Sequence, residues 1–353
     1  MIKILFFNNT YPSKKYPQKA AYAKAIYEML FSCGFEMSLC VKECCEKKIT
    51  VKFISYFRYF ITLFRVDLSK YDILYINHYL FLIPLFFRIP FYKKKVLFHW
   101  HGEELVNDRI VLKVLRYIAA RTIPKKSLHI SPSNYYKKII CKKMDIEMDK
   151  IFIYPSGGVD MDIFLEDKHE KYNEFHIGFP AALNAHKGIT YLYSLLDHNL
   201  ELEKRLERKV YYHVINYGSN SLDFIKYLSV NKISNVFVHD LYDRKELYKY
   251  YNQIDVTLFL SKRESLGLTV LESMACGVPV IALNNTSMPE LVIPHYTGEL
   301  IENTPTVYNL IEYITYVCNN PTKYNTRDFV EKNFSSIKAK DILFQLISSY
   351  NNL

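Results

Sequence analysis

Two glutamates eight residues apart, Glu264 and Glu272, flank the start of a helical stretch in DVTLFLSKRESLGLTVLESMACGVPVIALNNTSMPELV, Asp255 to Val292. The stretch reads as strand, loop, helix, strand. Its spacing predicts a helix that begins near Gly267–Leu268, shows Leu271, Met274 and Ala275 at i, i+3 and i+4, and stops at Gly277. The backbone N–H groups of Ser265, Leu266, Gly267, Leu268 and Thr269 would stand open at that helix start, where the helix dipole also favours an anion. Paired-carboxylate hydrolases hold their two carboxyls about 5–9.5 Å apart. Eight helical residues at about 1.5 Å rise span roughly 12 Å. The pattern therefore suits two grips on an elongated ligand, with hydroxyls at both ends and phosphate in the middle. A nucleotide sugar has that form.

Elements must hold these groups in place, and the chain supplies them in alternation. In the N-terminal half Ile2–Phe7, FEMSLCV, Ile73–Ile76, Val96–Trp100 and Leu128–Ser131 read as strands. The segment AAYAKAIYEMLFSCG reads as a helix with Ala21, Ala25, Tyr27, Leu30 and Phe31 towards one face and Gly34 at its C-terminal cap. A boundary is expected in YPSGGVDMDIF, Tyr154 to Phe164. Beyond it EFHIGF, VYYHVIN, NVFVHD, DVTLFL and VPVIAL form a second series of strands. Buried strands alternating with helices predict parallel α/β sheets, hence two Rossmann-like domains with a ligand cleft between the carboxyl edges of their strands. The expected division is 1–156, 157–335, and a C-terminal helix over 336–353 that folds back onto the N-terminal domain. Only ten glycines occur in 353 residues, eight of them from Gly157 to Gly298, mostly at predicted strand ends. Scarcity makes that placement informative, because each marks a turn or a close approach.

Composition narrows the class. Half of the residues are hydrophobic and 23% charged, enough for real cores and against disorder. Seven cysteines, an odd number in a long chain, argue against a disulfide-stapled secreted module. MIKILFFNNTYP does not read as a signal peptide, and the cytosol is the expected compartment. The most apolar window, Ile73 to Lys95, is broken by Asn77, His78, Pro84, Arg88 and Pro90, too soon for the roughly 20 residues of a spanning helix. A strand and a short buried helix are expected there. VKFISYFRYFITLFRV, Val51 to Val66, reads either as an interfacial amphipathic helix or as an ordinary core-facing one. Residues 1–150 carry 27 Lys/Arg against 12 Asp/Glu, whereas residues 151–353 carry 19 against 24. The halves are expected to face different partners, the basic one an anionic membrane through clusters such as Lys93-Lys94-Lys95. No nucleic-acid-binding signature accompanies the basic charge.

Three further patterns carry no site. Asp160-Met161-Asp162 lacks neighbouring ligands for a metal, His99-Trp100-His101 lacks a third ligand, and Cys40, Cys44 and Cys45 lack zinc spacing.

ESLGLTVLE resembles the E-x7-E motif of the family-four retaining glycosyltransferases of the GT-B fold. Around it DVTLFLS, MACGVPVIA, MPELV with Tyr296-Thr297-Gly298, NVFVHDLYDRKELYKYY and IYPSGGVDMDIF also resemble family segments, and SPSNYYKKII and His101-Gly102 after VLFHW do so more weakly. The likeness runs from Ile73 to Gly298. It implies a retaining transfer of a hexose from a nucleotide diphosphate sugar, uridine before guanosine, to a glycan or polyprenyl-diphosphate-linked acceptor in bacterial surface polysaccharide synthesis. It further implies that Glu264 contacts the donor sugar, Glu272 the ribose, and Lys187 of AHKG the diphosphate. His101 would lie near the reacting carbon. Gly188, Leu241 and Tyr242 join residues 265–269 as donor contacts, with no metal or other cofactor held by the protein. Departures from the family pattern are Ala182 where an arginine is usual, Pro17-Gln18-Lys19 in place of an N-terminal Gly-Gly loop, and Asn216-Tyr217-Gly218 for a GxG. Competing readings are another nucleotide-sugar enzyme on the same scaffold, an epimerase or phosphorylase, and a non-catalytic basic protein that binds membrane or polymer.

Overall fold

A computed structural model describes residues 1–16, 19–44, 48–167 and 173–352. The chain forms two compact units, Met1–Gly157 with Ile337–Leu353, and Gly158–Ser336. The first holds strands β1 Lys3–Tyr11, β2 Glu36–Glu43, β3 Ile73–Asn77, β4 Lys95–His99, β5 Leu128–Ser131 and β6 Ile151–Ile153, in the order β2-β1-β3-β4-β5-β6. The second holds β7 Glu174–Phe179, β8 Lys209–Ile215, β9 Val236–His239, β10 Val256–Phe259, β11 Val280–Leu283 and β12 Gly298–Ile301, ordered β12-β11-β10-β7-β8-β9. Every pairing is parallel.

Parallel strands need crossovers, and helices supply them. In the first unit these are α1 Ala21–Ser32, α2 Ile49–Arg65, α3 Ile83–Phe86, α4 Glu103–Val106, α5 Ile110–Thr122 and α6 Asn134–Met144. In the second they are α7 Ile189–Asp197, α8 Asn199–Leu206, α9 Ser221–Val230, α10 Tyr248–Tyr251, α11 Leu268–Ala275, α12 Met288–Leu291, α13 Val307–Asn319 and α14 Thr326–Phe334. The last helix, α15 Ser336–Asn352, buries Ala339, Leu343 and Ile347 beside Ile4, Phe6 and Tyr75 of the first unit. Its Tyr350 hydroxyl donates to the Val96 and Lys126 carbonyls at 3.1 and 2.9 Å.

The central strands are fully buried, as strands covered on both faces must be: Ile73, Leu74, Tyr75 and Ile76 of β3 are all sealed from solvent. The order of strands reverses between β1 and β3 in one sheet and between β7 and β10 in the other. Crevices beyond the carboxyl ends at such reversals are where ligands bind in open α/β sheets.

Several expectations are corrected. Helix α1 buries Ala23, Ile26 and Leu30, while Phe31 is exposed, so the apolar face is set one turn position away from the one drawn through Ala21, Ala25 and Phe31. The alanine-rich sequence left the face underdetermined. Strand β1 runs on to Tyr11 because β2 pairs with it as far as Glu43. Lys94 Nζ donates to the Ser69 and Tyr71 carbonyls, and Lys95 Nζ to the Tyr350 carbonyl. Cys33, Cys40, Cys44, Cys141, Cys276 and Cys318 form no disulfide among the described residues; Cys45, Pro17 and Gln18 lie outside the described residues.

The outer layer of the first unit is unusual. Helix α2 buries only Tyr59 and Leu63, whereas Phe53, Phe57, Phe60 and Phe64 face solvent. Helix α3 touches both α2 and α5, and α5 leaves Ile110, Val111, Val114 and Tyr117 exposed. Neither α2 nor α5 contains an acidic residue. No helix among the described residues is long and apolar enough to cross a membrane.

Candidate functional site

The loops after β7 and β10, which flank the strand reversal of the second unit, bring together Lys187 and Glu264. Lys187 Nζ donates to Glu264 Oε1. Asn184 caps the short turn Ala185–Lys187 by accepting the Lys187 N–H at 3.0 Å. Gly188 follows at φ +87, where an added Cβ would lie 2.5 Å from the Leu260 carbonyl oxygen at the end of β10. Glycine is thus required for the lysine turn to lie against the neighbouring strand. The Glu264 backbone N–H donates to Thr286 Oγ1 at 3.2 Å, and Ser287 Oγ donates to the carbonyls of Glu264 and Leu266.

Helix α11 starts at Leu268 behind Gly267, whose φ of +102 turns the chain into it. Residues Val270 to Ala275 are all buried, so Glu272 is carried on a core helix. Burial pushes its carboxyl up to about 7, against which the Arg244 guanidinium pulls down. Arg244 Nη2 stands 3.4 Å from Glu272 Oε1. Burial also raises the Tyr217 hydroxyl, with the charges of Glu264 and Glu272 adding to the rise. Tyr217 belongs to the Asn216-Tyr217-Gly218 loop. There Gly218 at φ +122 lets the chain pass so close to Leu183 that a Cβ would meet its backbone nitrogen at 2.6 Å.

The sequence-based donor set divides accordingly. Glu264, Lys187, Gly188, Gly267 and Glu272 lie on two adjoining loops and one helix. Leu266 is buried and turns only its backbone to the loop, while Ser265, Leu268 and Thr269 are partly exposed. Leu241 is exposed, and the Tyr242 hydroxyl is bound to His239 at 2.9 Å. Arg244 and Tyr217 were not found by sequence reasoning. Arg244 lay within the quoted NVFVHDLYDRKELYKYY segment, but nothing in its spacing announced a partner on α11. At Ala182 the small side chain adds no charge, and Arg244 is the cation that the fold brings to Glu272.

His101 lies in the first unit, after β4, beside the β1/β3 reversal. Asn77 Nδ2 donates to the Phe7 carbonyl at 3.3 Å, which turns its Oδ1 towards His101 Nε2 at 3.0 Å. That oxygen can only accept, so Nε2 carries the ring proton and Nδ1 is left as an acceptor. His101 is stacked between His99 and His78, with ring centroids 4.4 and 4.3 Å away. Burial first, then the His78 and His99 rings, hold His101 well below the usual histidine range. His78 adopts φ +50, accepts or donates at Tyr22 Oη over 2.8 Å, and lies 3.7 Å from Glu104 Oε2. Burial alone would raise Glu104, but His78 and the His101 N–H outweigh it and hold the carboxyl low. His78 is the third histidine that the spacing of His99 and His101 could not reveal, since it arrives from β3. The three rings are stacked face on rather than aimed at a common point, and no cluster of three metal-ligating side chains occurs among the described residues.

Residues 161–333 match the family model described as glycosyl transferases group 1. An uncharacterized 41.2 kDa protein in the cps region of Klebsiella pneumoniae is 26% identical over 298 residues, 80% of each chain. The O-antigen biosynthesis glycosyltransferase WclY of Escherichia coli is 32% identical over 196 residues, 53% of this chain and 50% of its own length. Among solved structures, that of Anabaena HepE in complex with UDP and glucose superposes with a TM-score of 0.72 at 16% identity, over 99% of this chain and 100% of that one.

Proposed function

Through residues 161–333 the chain belongs to the glycosyl transferases group 1, with the GT-B fold, and from that premise we propose that it is a retaining hexosyltransferase. Its donor would be a uridine diphosphate sugar, and its acceptor a glycan or lipid-linked glycan of a bacterial surface polysaccharide. The observation that carries this reading is the pairing of Lys187 with Glu264 at the β7/β10 reversal, next to a helix that holds Glu272. The relatives from a cps region and from O-antigen biosynthesis support the setting, and the UDP of HepE supports the donor.

In this reading the Lys187–Glu264 pair holds both groups where the donor would bind. The donor replaces it: Lys187 turns to the diphosphate, and Glu264 accepts hydrogen bonds from the sugar. Glu272 accepts from the ribose hydroxyls, and Arg244, released from it, adds a second cation. The backbone N–H groups at the start of α11 face negative charge. Lys187 and these amides stabilise charge on the departing diphosphate, which takes the acceptor's proton. We assign His101 to the reacting sugar as a neutral acceptor, through Nδ1. No divalent metal held by the protein is required, because Lys187, Arg244 and helix amides meet the charge.

The acceptor's lipid would lie in an anionic membrane, on which the first unit rests through α2 and α5. Their exposed aromatic and aliphatic side chains alternate with Lys52, Arg58, Arg65, Lys113 and Arg121, with no acid among them.

Isothermal calorimetry with UDP, then product analysis by NMR, tests the proposal. Expected are UDP binding and an axial or equatorial linkage matching the donor's anomer. Inversion of the anomer, or turnover of the donor to an epimer without transfer, would overturn the respective part.

A further inference from the structure

A row of hydrogen-bonded rings crosses the second sheet, outside the groups used above. Glu174 Oε2 lies 3.2 Å from His176 Nε2, and His176 Nδ1 lies 2.8 Å from His213 Nε2. His213 Nδ1 lies 3.0 Å from His239 Nε2, and His239 Nδ1 lies 2.9 Å from the Tyr242 hydroxyl. The histidines stand on β7, β8 and β9, and register sets each one two residues nearer the carboxyl edge than the last: His213 pairs with Gly178, and His239 with Ile215. The row therefore runs from the first residue of β7 to the loop after β9. Tyr242 is two residues from Arg244, which pairs with Glu272.

Each of the four bonds holds one proton, and this fixes the row's states. With Glu174 ionised and every imidazole neutral, the carboxylate can only accept, so His176 donates through Nε2. Its Nδ1 must then accept from His213 Nε2–H, His213 Nδ1 from His239 Nε2–H, and His239 Nδ1 from the tyrosine O–H. Tyr242 therefore points its proton inward. Add one proton, on Glu174 Oε2 or on any ring, and all bonds on the tyrosine side of it reverse. His239 then donates from Nδ1 to the phenol oxygen, and the Tyr242 O–H is turned outward.

We infer that this row is a proton-addressed switch on Tyr242, in which uptake of one proton anywhere along it presents the hydroxyl as a donor to an anionic ligand. The inference deepens the donor reading above and rests on it only for the ligand's identity. The histidines are positioning residues, acting through Tyr242. Asp255 Oδ2 accepts the His176 backbone N–H at 2.7 Å, the Tyr211 ring stacks on His176, and Tyr250 presents its edge to His213 and His239. Near Tyr242 stand Lys249, Glu246 and Gln253. Burial lowers His239 below the usual histidine range.

Imidazole 15N NMR of the full chain without ligand is the test. At pH 8.5 His176, His213 and His239 are each expected as the Nε2–H tautomer, and on acidification the three share one midpoint while together taking up one proton. Mixed tautomers at high pH, or three separate midpoints, would overturn the inference. His213→Phe should split the remaining two midpoints; Tyr242→Phe, at a partly exposed position, should keep them joined. Calorimetry with UDP in buffers of different ionisation heat then reads the link to the donor. Wild type should take up more protons than Tyr242→Phe, with up to tenfold affinity per pH unit riding on the difference. UDP binding with equal proton counts would overturn that link. Failure of UDP to bind either protein would count against the donor reading, with the NMR midpoints still deciding the row.

Discussion

At the scale of single residues, the candidate site is a balance of charges held away from water. Glu272 shows this most clearly. Its carboxyl is raised in the folded chain, so the protonated form is the one the native state prefers. The penalty is absent below the unfolded carboxylate range and fully present once pH exceeds about 7. Glu272→Gln should therefore stabilise the ligand-free protein at pH 8 by up to about 3 kcal/mol, since each pKa unit is worth about 1.36 kcal/mol. Little change is expected at pH 5. Urea denaturation at the two pH values measures the difference. A variant equally stable to wild type at both would show that Arg244 already cancels the burial. The same residue should matter to binding in the opposite sense. Glu272→Ala should weaken UDP by about 1.5–3 kcal/mol through a lost charge-assisted bond to ribose. Glu264→Gln should leave UDP affinity nearly unchanged and lower turnover of the sugar donor. Comparable losses of UDP affinity in both variants would mean that the ends of the donor are assigned the wrong way round. Lys187→Ala should be the most severe for turnover, because Ala182 offers no second cation beside it.

At the scale of elements, loops are fixed by glycines that the strands beneath them require. Gly188 is the sharpest case, with φ +87 and the Leu260 carbonyl oxygen where a Cβ would be. A left-handed backbone costs an L-residue about 1–2 kcal/mol, and the clash adds to it. Gly188→Ala should lower the thermal midpoint and push the Lys187 turn off β10, so UDP affinity falls as well. Unchanged melting with lost UDP affinity would assign the glycine to ligand approach alone. Helix α11 illustrates the complementary rule. Its residues Val270 to Ala275 are all buried, and the carboxylate among them, Glu272, has the Arg244 guanidinium as its ionic partner.

At the scale of the whole molecule, charge and apolar surface are unevenly distributed. The excess of cations in residues 1–150 includes α2 and α5, where exposed Phe53 and Phe57 stack on one another with centroids 6.5 Å apart. Co-sedimentation with vesicles should show binding that needs anionic lipid and fades with salt. Phe53→Ser with Phe57→Ser should abolish the salt-resistant part, and Lys52→Gln with Arg58→Gln should remove about 1 kcal/mol per cation. Because these side chains contribute little to the core, the variants should melt as wild type. Equal recovery in the supernatant with neutral and anionic vesicles at low salt would reject the membrane reading and leave the transferase reading intact. Transfer should also persist in chelator. Activity abolished by chelator and restored only by magnesium or manganese would overturn the claim that Lys187, Arg244 and the helix amides suffice.

The sequence by itself determined the things that local pattern controls. Parallel α/β sheets follow from short buried strands alternating with helices. The start of α11 follows from Gly267, its end from Gly277, and the two-glutamate spacing from residue count alone. Even the boundary near Gly157 was legible, because glycine and proline interrupt the pattern there. What local pattern cannot contain is which side chains strand order brings side by side. Arg244 meets Glu272, and His78 meets His101, only through the sheets' crossovers. The histidine row needs β7, β8 and β9 in register, since His176, His213 and His239 lie 37 and 26 residues apart. The apolar face of α1 also waited for the fold, because alanine fits either side of a helix. How far α2 covers its aromatic face was likewise a tertiary matter: its amphipathic pattern is the same whether a neighbour packs there or not, and only the fold shows Phe53, Phe57, Phe60 and Phe64 exposed.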